Sequence, residues 1–365
     1  MYFSNIYEGK TVLVTGNTGF KGSWLTEWLI LLGARVEGYS NGIPTDPSLF
    51  KILKLQDRIS HTNADVQDLK TLKDVISKSK PDFIFHLAAQ AIVSTSYKNP
   101  LDTFLTNTIG TMNILEAIRD IDHECNVVLI TSDKAYDNVE WEWGYKETDV
   151  LGGKDIYSGS KGAAELVIKS YFHSFIESNS KIKLGVARAG NVIGGGDWAK
   201  DRIVVDCMKS WSNKEKVTIR SPNATRPWQH VLEPLSGYLR LGEMLKISSN
   251  LNGLAFNFGP KAEQNRTVLD LIKDLSSRWG FDSHEEALIV NLDSKFEESG
   301  LLKLNIDRAL FHLKWEPNLT YEETVNYVSD WYYDFYLHNK DMHISTKNQI
   351  DTYGSIARER NRIWT

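Results

Sequence analysis

Thr11-Val12-Leu13-Val14-Thr15-Gly16-Asn17-Thr18-Gly19-Phe20-Lys21-Gly22 is the stretch that decides the fold. A short apolar run ends in glycine, and a helical pattern runs on from Lys21 to Leu32. Gly16, Gly19 and Gly22 give Gly-x-x-Gly-x-x-Gly at a strand–turn–helix junction. Glycines there let backbone N–H groups approach a pyrophosphate at the positive end of a helix. The spacing alone also occurs in ordinary turns; its context makes Gly16, Thr18, Gly19, Phe20, Lys21 and Gly22 candidate contacts to a dinucleotide. NAD-binding units usually carry an acidic residue about 20 residues further on. This chain reads Tyr39-Ser40-Asn41 there, so the position does not separate NAD from NADP. Asp65 and Val66 follow a presumed third strand and are candidates for the adenine side, with a solvated turn as the plainer reading.

Working outward, apolar runs at Arg35–Tyr39, Phe83–Leu87, Val127–Thr131 and Leu184–Arg188 read as further strands. Helical patterns at 71–78, 101–120 and 158–176 separate them. Such alternation predicts an α/β, Rossmann-like doubly wound parallel sheet. After Gly194 the regularity fades into turn-rich segments, which predicts a smaller interleaved C-terminal lobe. The expected division is 1–190 for the dinucleotide domain, 191–338 for the substrate lobe with some segments returning to the first domain, and 339–365 as a loosely held polar tail.

Tyr157-Ser158-Gly159-Ser160-Lys161 carries the first chemical signal. Residues four apart share a helix face. A cationic Lys161 beside the Tyr157 phenol is expected to favour the phenolate, which could take a proton from an alcohol while a hydride leaves the same carbon. Upstream, Thr131-Ser132-Asp133-Lys134 adds an acid and an amine that a plain alcohol dehydrogenase does not need. In isolation each pair also fits an ordinary surface turn or helix. Leu87, Ala88 and Ala89, at a strand end, and Asn107, on the following helix, are further candidates for the cofactor side, while His86 is given no proton-transfer role.

The 365 residues are 41% apolar and carry a net charge of -5, with no run of Lys and Arg, which argues against disorder and against a nucleic-acid partner. No secretory leader and no span of membrane length is read, and two cysteines give no disulfide framework. Those features fit a cytoplasmic protein. No metal-ligand spacing stands among the nine histidines and two cysteines, so no metal is expected.

Together these segments resemble the extended short-chain dehydrogenase/reductase superfamily. Within it the chain is most similar to the CDP-glucose 4,6-dehydratases, over roughly Gly9 to Tyr333. The strings that carry this are Thr15 to Gly22, Thr131-Ser132-Asp133-Lys134-Ala135-Tyr136, Gly152-Gly153-Lys154-Asp155-Ile156-Tyr157-Ser158, Gly190 to Trp198, and Arg226-Pro227-Trp228-Gln229-His230-Val231. Asp133-Lys134 is the most specific mark, since dTDP-glucose relatives show Asp-Glu there. Ser94-Thr95 and Val204-Val205-Asp206 depart from the pattern, which carries an arginine and a proline at those places.

The resemblance implies a redox-neutral dehydration with NAD as a recycled cofactor. Tyr157 would deprotonate the 4-hydroxyl of CDP-glucose as hydride leaves carbon 4. Lys134 would remove the carbon 5 proton, Asp133 would protonate the departing 6-hydroxyl, and hydride would return to carbon 6. Thr131 or Ser132 would donate a hydrogen bond to the 4-oxygen. Arg226 and Arg202 suit the diphosphate, Asn191 a phosphate oxygen, and Trp198 or Trp228 the base, with core packing as the alternative for both tryptophans. The resemblance also implies a homodimer paired through helices near 101–120 and 158–176, and deoxysugars for cell-surface polysaccharide such as the O-antigen of lipopolysaccharide. Three rival readings stand beside it: a dTDP- or GDP-sugar 4,6-dehydratase, a nucleotide-sugar 4-epimerase, and a non-catalytic dinucleotide-sensing protein. Asp133-Lys134 opposes the epimerase, and the intact Tyr157 and Lys161 oppose the last.

Overall fold

The computed structural model describes residues 2–291 and 300–365; Met1 and 292–299, which belong to the two predicted domains, lie outside the described residues. The first six strands are β1 (Thr11–Thr15), β2 (Arg35–Ser40), β3 (Ser60–Asn63), β4 (Phe83–His86), β5 (Cys125–Ile130) and β6 (Ile182–Ala189). Four short strands follow: β7 (Val192–Ile193), β8 (Val217–Ile219), β9 (Thr225–Arg226) and β10 (Gln229–His230). Then comes β11 (Ala255–Phe258). The central sheet has seven strands in the order β11-β6-β5-β4-β1-β2-β3, and all its pairs are parallel.

Strands buried on both faces need apolar residues throughout, which is why β1, β4 and β5 show no polar alternation. Their side chains divide between two cores. Val12, Val14, Phe83 and Phe85 join the aromatic-rich core on one face. Leu13, Ile84, Val127 and Leu129 join the other. The order of strands reverses between β1 and β4, and ligands bind doubly wound sheets outside the carboxyl ends of strands at such a point. The glycine loop leaves β1 there, and Leu87, Ala88 and Ala89 leave β4 beside it.

The helix that carries Tyr157 and Lys161 has a clear start signal. Asp155 caps the helix Ile156–Tyr171, accepting from the Ser158 N–H and so fixing Tyr157 in its first turn. The helical stretch predicted over 101–120 is Pro100–Phe104 and Gly110–Ile118 joined through a π-turn, Leu105–Ile109. β11, which sequence periodicity did not mark, is a four-residue edge strand supplied from beyond residue 250.

The segment 339–365 departs from the expectation of a loose tail. It forms the helix Met342–Glu359, and Trp364 stacks on Phe3 with ring centroids 5.0 Å apart and on Tyr353 at 5.8 Å. The Phe3 N–H donates to the Trp364 carbonyl at 2.7 Å. The buried Glu233 carboxylate accepts from the Asn318 and Leu319 N–H groups and from the Tyr353 hydroxyl. A polar sequence misleads here because only one stripe of the helix, with Ile350, Tyr353 and Ala357, is buried. Trp364→Ala removes a side chain that is 2% exposed. It is expected to lower unfolding free energy by about 3 kcal/mol in a urea titration.

Candidate active site

The loop after β1 is packed too closely to admit side chains. Gly16 has φ +72°, and a Cβ on Gly22 would stand 2.0 Å from the Gly16 carbonyl oxygen. Asn17, fully buried, holds the loop to β2 through the Ser40 hydroxyl, and the Thr18 N–H donates to the same Ser40 oxygen at 3.3 Å. Ser40 therefore fastens the loop at the place where an acidic residue was sought. An acid does reach that end of the sheet: Asp65 accepts from the Asn41 amide at 2.6 Å and from the Gln67 N–H at 2.9 Å. Val66 lies under Gly110, where an added Cβ would come within 2.6 Å of its Cγ2. The helix Phe20–Leu31 starts with no side-chain cap and no acidic residue in its first turn. Its N–H groups and positive end thus suit a phosphate.

At the end of β4, His86 bonds Thr15 at 2.7 Å and Thr111 at 3.2 Å. Burial, and then the Lys161 charge, push its imidazole down to about 3, so it stays neutral. Asn107 sits in the π-turn. It accepts from the Gln90 N–H at 2.8 Å and donates to the Gln90 carbonyl and the Ser160 hydroxyl at 3.1 and 2.9 Å. Both amide hydrogens are thereby spent on protein, and Asn107 locks the loop after β4 to the Tyr157 helix.

Beyond β5, Ser132 caps a 3₁₀ turn formed by Asp133–Ala135. The Ser132 hydroxyl donates to Asp133 Oδ1 at 2.9 Å and accepts from the Lys134 N–H at 3.2 Å. It also stands beside the Tyr157 phenol and acts to lower it. Asp133 Oδ2 is buried with no hydrogen-bond partner among the described residues, and a Cβ on Gly190 would come within 3.0 Å of it. Burial raises the Asp133 carboxyl, opposed by the Lys134 charge. Lys134 itself is half-buried. The sequence-predicted acid, amine and phenol are thus brought together, with Ser132 between acid and phenol.

Thr131 is placed differently. Its hydroxyl donates to Glu165 Oε1 at 2.6 Å, so Ser132 and not Thr131 is the hydroxyl at Tyr157. Glu165 is gripped by Arg188 in a buried fork at 2.7 and 2.9 Å, and Arg188 also donates to the Tyr136 hydroxyl at 2.7 Å. Sequence reading missed Glu165. Its signal was a carboxylate four residues beyond Lys161 on a face otherwise buried.

The phenolate expectation also needs correction. Burial holds the Tyr157 phenol up at about 12, opposed by the Ser132 hydrogen bond. Lys161 is itself pushed down to about 8, first by burial and then by Lys21. Lys21 likewise falls to about 8, through burial and then the Arg202 charge, with Asp133 and Asp197 opposing. Arg202 pairs with Asp197 at 3.4 Å, and both line a cleft shared with Asn191, Arg226 and Trp228. Trp228 is 3% exposed, and its Nε1 has no partner among the described residues. Trp198 belongs instead to the aromatic core: its Nε1 donates to the Tyr336 hydroxyl at 3.0 Å and its ring packs on Phe335 at 5.1 Å. Its indole is not available to a base. No group of His, Cys, Asp and Glu suited to a metal occurs among the described residues, and no described helix is long and apolar enough to cross a membrane.

The family model described as GDP-mannose 4,6 dehydratase matches residues 13–328. The CDP-glucose 4,6-dehydratase of Salmonella typhimurium is 42% identical, covering 98% of this chain and 99% of that one. The CDP-paratose 2-epimerase of Salmonella typhi is 25% identical over 88% of this chain and 98% of its own. Among solved structures, dTDP-glucose 4,6-dehydratase from Streptomyces venezuelae, with NAD bound, superposes with a TM-score of 0.76 at 18% identity, covering 90% of this chain and 100% of that one. UDP-glucose 4-epimerase from Thermotoga maritima gives 0.77 at 23%, covering 89% and 99%.

Two measurements test this geometry. Arg188→Met leaves Glu165 buried and uncompensated, and is expected to cost about 3–5 kcal/mol in chemical denaturation; adding Glu165→Met should recover much of that loss. Lys161, at about 8 in the fold against 10.5 ordinarily, binds fewer protons folded than unfolded between those values. Its presence therefore penalises the fold most below pH 8, and the penalty fades as pH rises toward 10.5. Lys161→Met is expected to stabilise the protein at pH 7 by up to about 3 kcal/mol, with the gain shrinking by pH 10.

Proposed function

Because the chain belongs to the GDP-mannose 4,6 dehydratase family of extended short-chain dehydrogenases/reductases, we propose that it is an NAD-dependent CDP-glucose 4,6-dehydratase, converting CDP-D-glucose to CDP-4-keto-6-deoxy-D-glucose. The observation that carries this reading is Asp133, buried, with Oδ2 unpartnered and Oδ1 bonded by Ser132, which stands beside Tyr157. An epimerase inverts one carbon and has no leaving hydroxyl for such an acid. The 42% identity along nearly the whole chain supports the cytidine nucleotide.

NAD fits the residues present. The uncapped helix and the Gly16 and Gly22 turn suit its pyrophosphate, Leu87, Ala88 and Ala89 flank the crevice, and Asp65 would stand on the adenine side. When bound, NAD would supply the hydride acceptor for carbon 4 and the hydride source for carbon 6. Tyr157, once its own phenol proton has left, takes the proton of the 4-hydroxyl, and Ser132, one of the two hydroxyls expected there, faces that oxygen. Lys161, on the same helix face, and Lys21 supply positive charge beside the reacting groups. Lys134 removes the proton on carbon 5. Asp133, whose carboxyl burial raises, gives its proton to the departing 6-oxygen, which leaves as water. Arg202, Arg226 and Asn191 hold the diphosphate, and Trp228 offers its indole edge to the base.

The same reading makes the protein a cytoplasmic homodimer that feeds deoxysugar synthesis for surface polysaccharide such as O-antigen. Leu101, Leu166 and Phe175 stand exposed on the helices that would pair across the two-fold axis. Incubation of the purified protein and NAD with CDP-, dTDP-, GDP- and UDP-linked hexoses, followed by mass spectrometry, tests the activity. Loss of one water from CDP-glucose is expected. Loss from another nucleotide sugar instead overturns the substrate, and loss from none overturns the reaction.

A further inference from the structure

The loop 194–202 runs from β7 to the helix Ile203–Ser212, and Arg202 is its last residue, at the start of that helix. The loop is gripped from several sides. Trp24, on the helix that follows the glycine turn, donates through Nε1 to the Gly195 carbonyl at 2.9 Å. Gly195 lies so close to Trp331 that an added Cβ would stand 2.0 Å from the indole. Trp198 is enclosed by Trp331 and Phe335. The Tyr332 hydroxyl donates to the Asp197 carbonyl at 2.6 Å. Asp197 is left 4% exposed, with a side chain that nonetheless borders the cleft.

Resting on the dehydratase reading, we propose that Asp197 is a positioning residue. It holds the Arg202 guanidinium by its inner nitrogen, so that the two outer nitrogens meet the diphosphate of the nucleotide sugar.

The two oxygens of Asp197 have separate tasks. Oδ1 accepts from the Ala199 N–H at 2.9 Å, which fixes the carboxyl plane. Oδ2 stands 3.4 Å from Arg202 Nε, and Arg202 is its one ion-pair partner among the described residues. Arg202 Nε is buried without a hydrogen bond, so the contact is ionic. It sets where the guanidinium lies. The outer nitrogens of Arg202 make no hydrogen bond among the described residues, and its side chain is 38% exposed in the cleft. An arginine fork suits a phosphate because two parallel N–H groups match two oxygens. Holding that fork in place before the ligand arrives removes part of the ordering cost of binding. Burial raises the Asp197 carboxyl, and the Arg202 charge is the largest force against that rise, with Lys209 and Lys21 adding to it. Asp201 and Asp206 line the same cleft. Without Asp197 the guanidinium is free to turn toward either of them and away from the diphosphate.

Asp197→Asn tests this with little else disturbed. The amide oxygen can still accept from the Ala199 N–H, the backbone carbonyl still serves Tyr332, and only the oxygen facing Arg202 is replaced. Calorimetric titrations with CDP and with cytidine give the readout. CDP is expected to bind about ten- to a hundred-fold more weakly, and cytidine, which has no phosphate, as tightly as to the unaltered protein. KM for CDP-glucose should rise by a similar factor while kcat stays within about two-fold. Adding Arg202→Met to Asp197→Asn should weaken CDP no further, because the two residues act as one. Unchanged CDP affinity, equal weakening of CDP and cytidine, or full additivity of the two substitutions overturns the proposal. Should Asp197→Asn not fold, Arg202→Lys decides. A lysine keeps the charge but cannot face Asp197 and the diphosphate at once. CDP affinity as low as that of Arg202→Met supports the positioning role, and affinity equal to that of the unaltered protein overturns it. If the unaltered protein neither binds CDP nor releases water from CDP-glucose, the function reading fails, an outcome distinct from any of these.

Discussion

The arrangement hangs on one buried ion pair. Glu165 extends from the helix that carries Tyr157 and Lys161, Arg188 from β6, and Thr131, which donates to the same carboxylate, from the end of β5. Three elements therefore share a single fork of charge-assisted hydrogen bonds. Such a fork is directional and bidentate, so it fixes angle as well as distance. The turn bearing Ser132, Asp133 and Lys134 begins one residue after Thr131, and the phenol begins two helical turns before Glu165. The spacing between acid and base follows from where the fork clamps those two arms. Arg188 continues to Tyr136, and Tyr136 to Asn257 of β11, which ties the edge strand into the same network.

Around that frame the electrostatics are crowded. Lys21, Lys161 and Arg202 share a small volume with Asp133 and Asp197. Lys21 depresses Lys161, Arg202 depresses Lys21, and each lysine carries its own desolvation cost. An anion placed among them would raise both amines toward their ordinary values and so tighten its own binding. Substrate binding and protonation are in this way coupled at the site, with Lys21 reaching from the dinucleotide loop toward the acid.

Much of this was legible in the residues. β1, β4 and β5 were plain because a strand buried on both faces must be apolar along its length. The glycine loop was plain because close backbone contact tolerates no Cβ. Tyr157 and Lys161 stood out by spacing, and Asp133 and Lys134 through the family resemblance. Other features lay in tertiary context. β11 has only four residues, and its pairing with β6 is decided by proximity rather than pattern. Whether Thr131 or Ser132 faces the phenol depends on a carboxylate 34 positions away from Thr131. Trp198 and Trp228 look alike in sequence, yet one is enclosed by Trp331, Tyr332 and Phe335 and the other borders the cleft. The phenol's acidity was misjudged because spacing reveals a neighbouring amine but not the depth of burial that outweighs it.

The stacking of Trp364 on Phe3 bears on how the chain is made. Phe3, Trp28 and Tyr353 form one aromatic cluster with Trp364. Translation delivers Phe3 and Trp28 early and Trp364 late, at about 5–20 residues per second, so the early aromatics wait roughly 20 to 70 s for their partner. During that interval a nascent chain presents an uncovered apolar face on the ribosome, where chaperones have their longest opportunity to hold it.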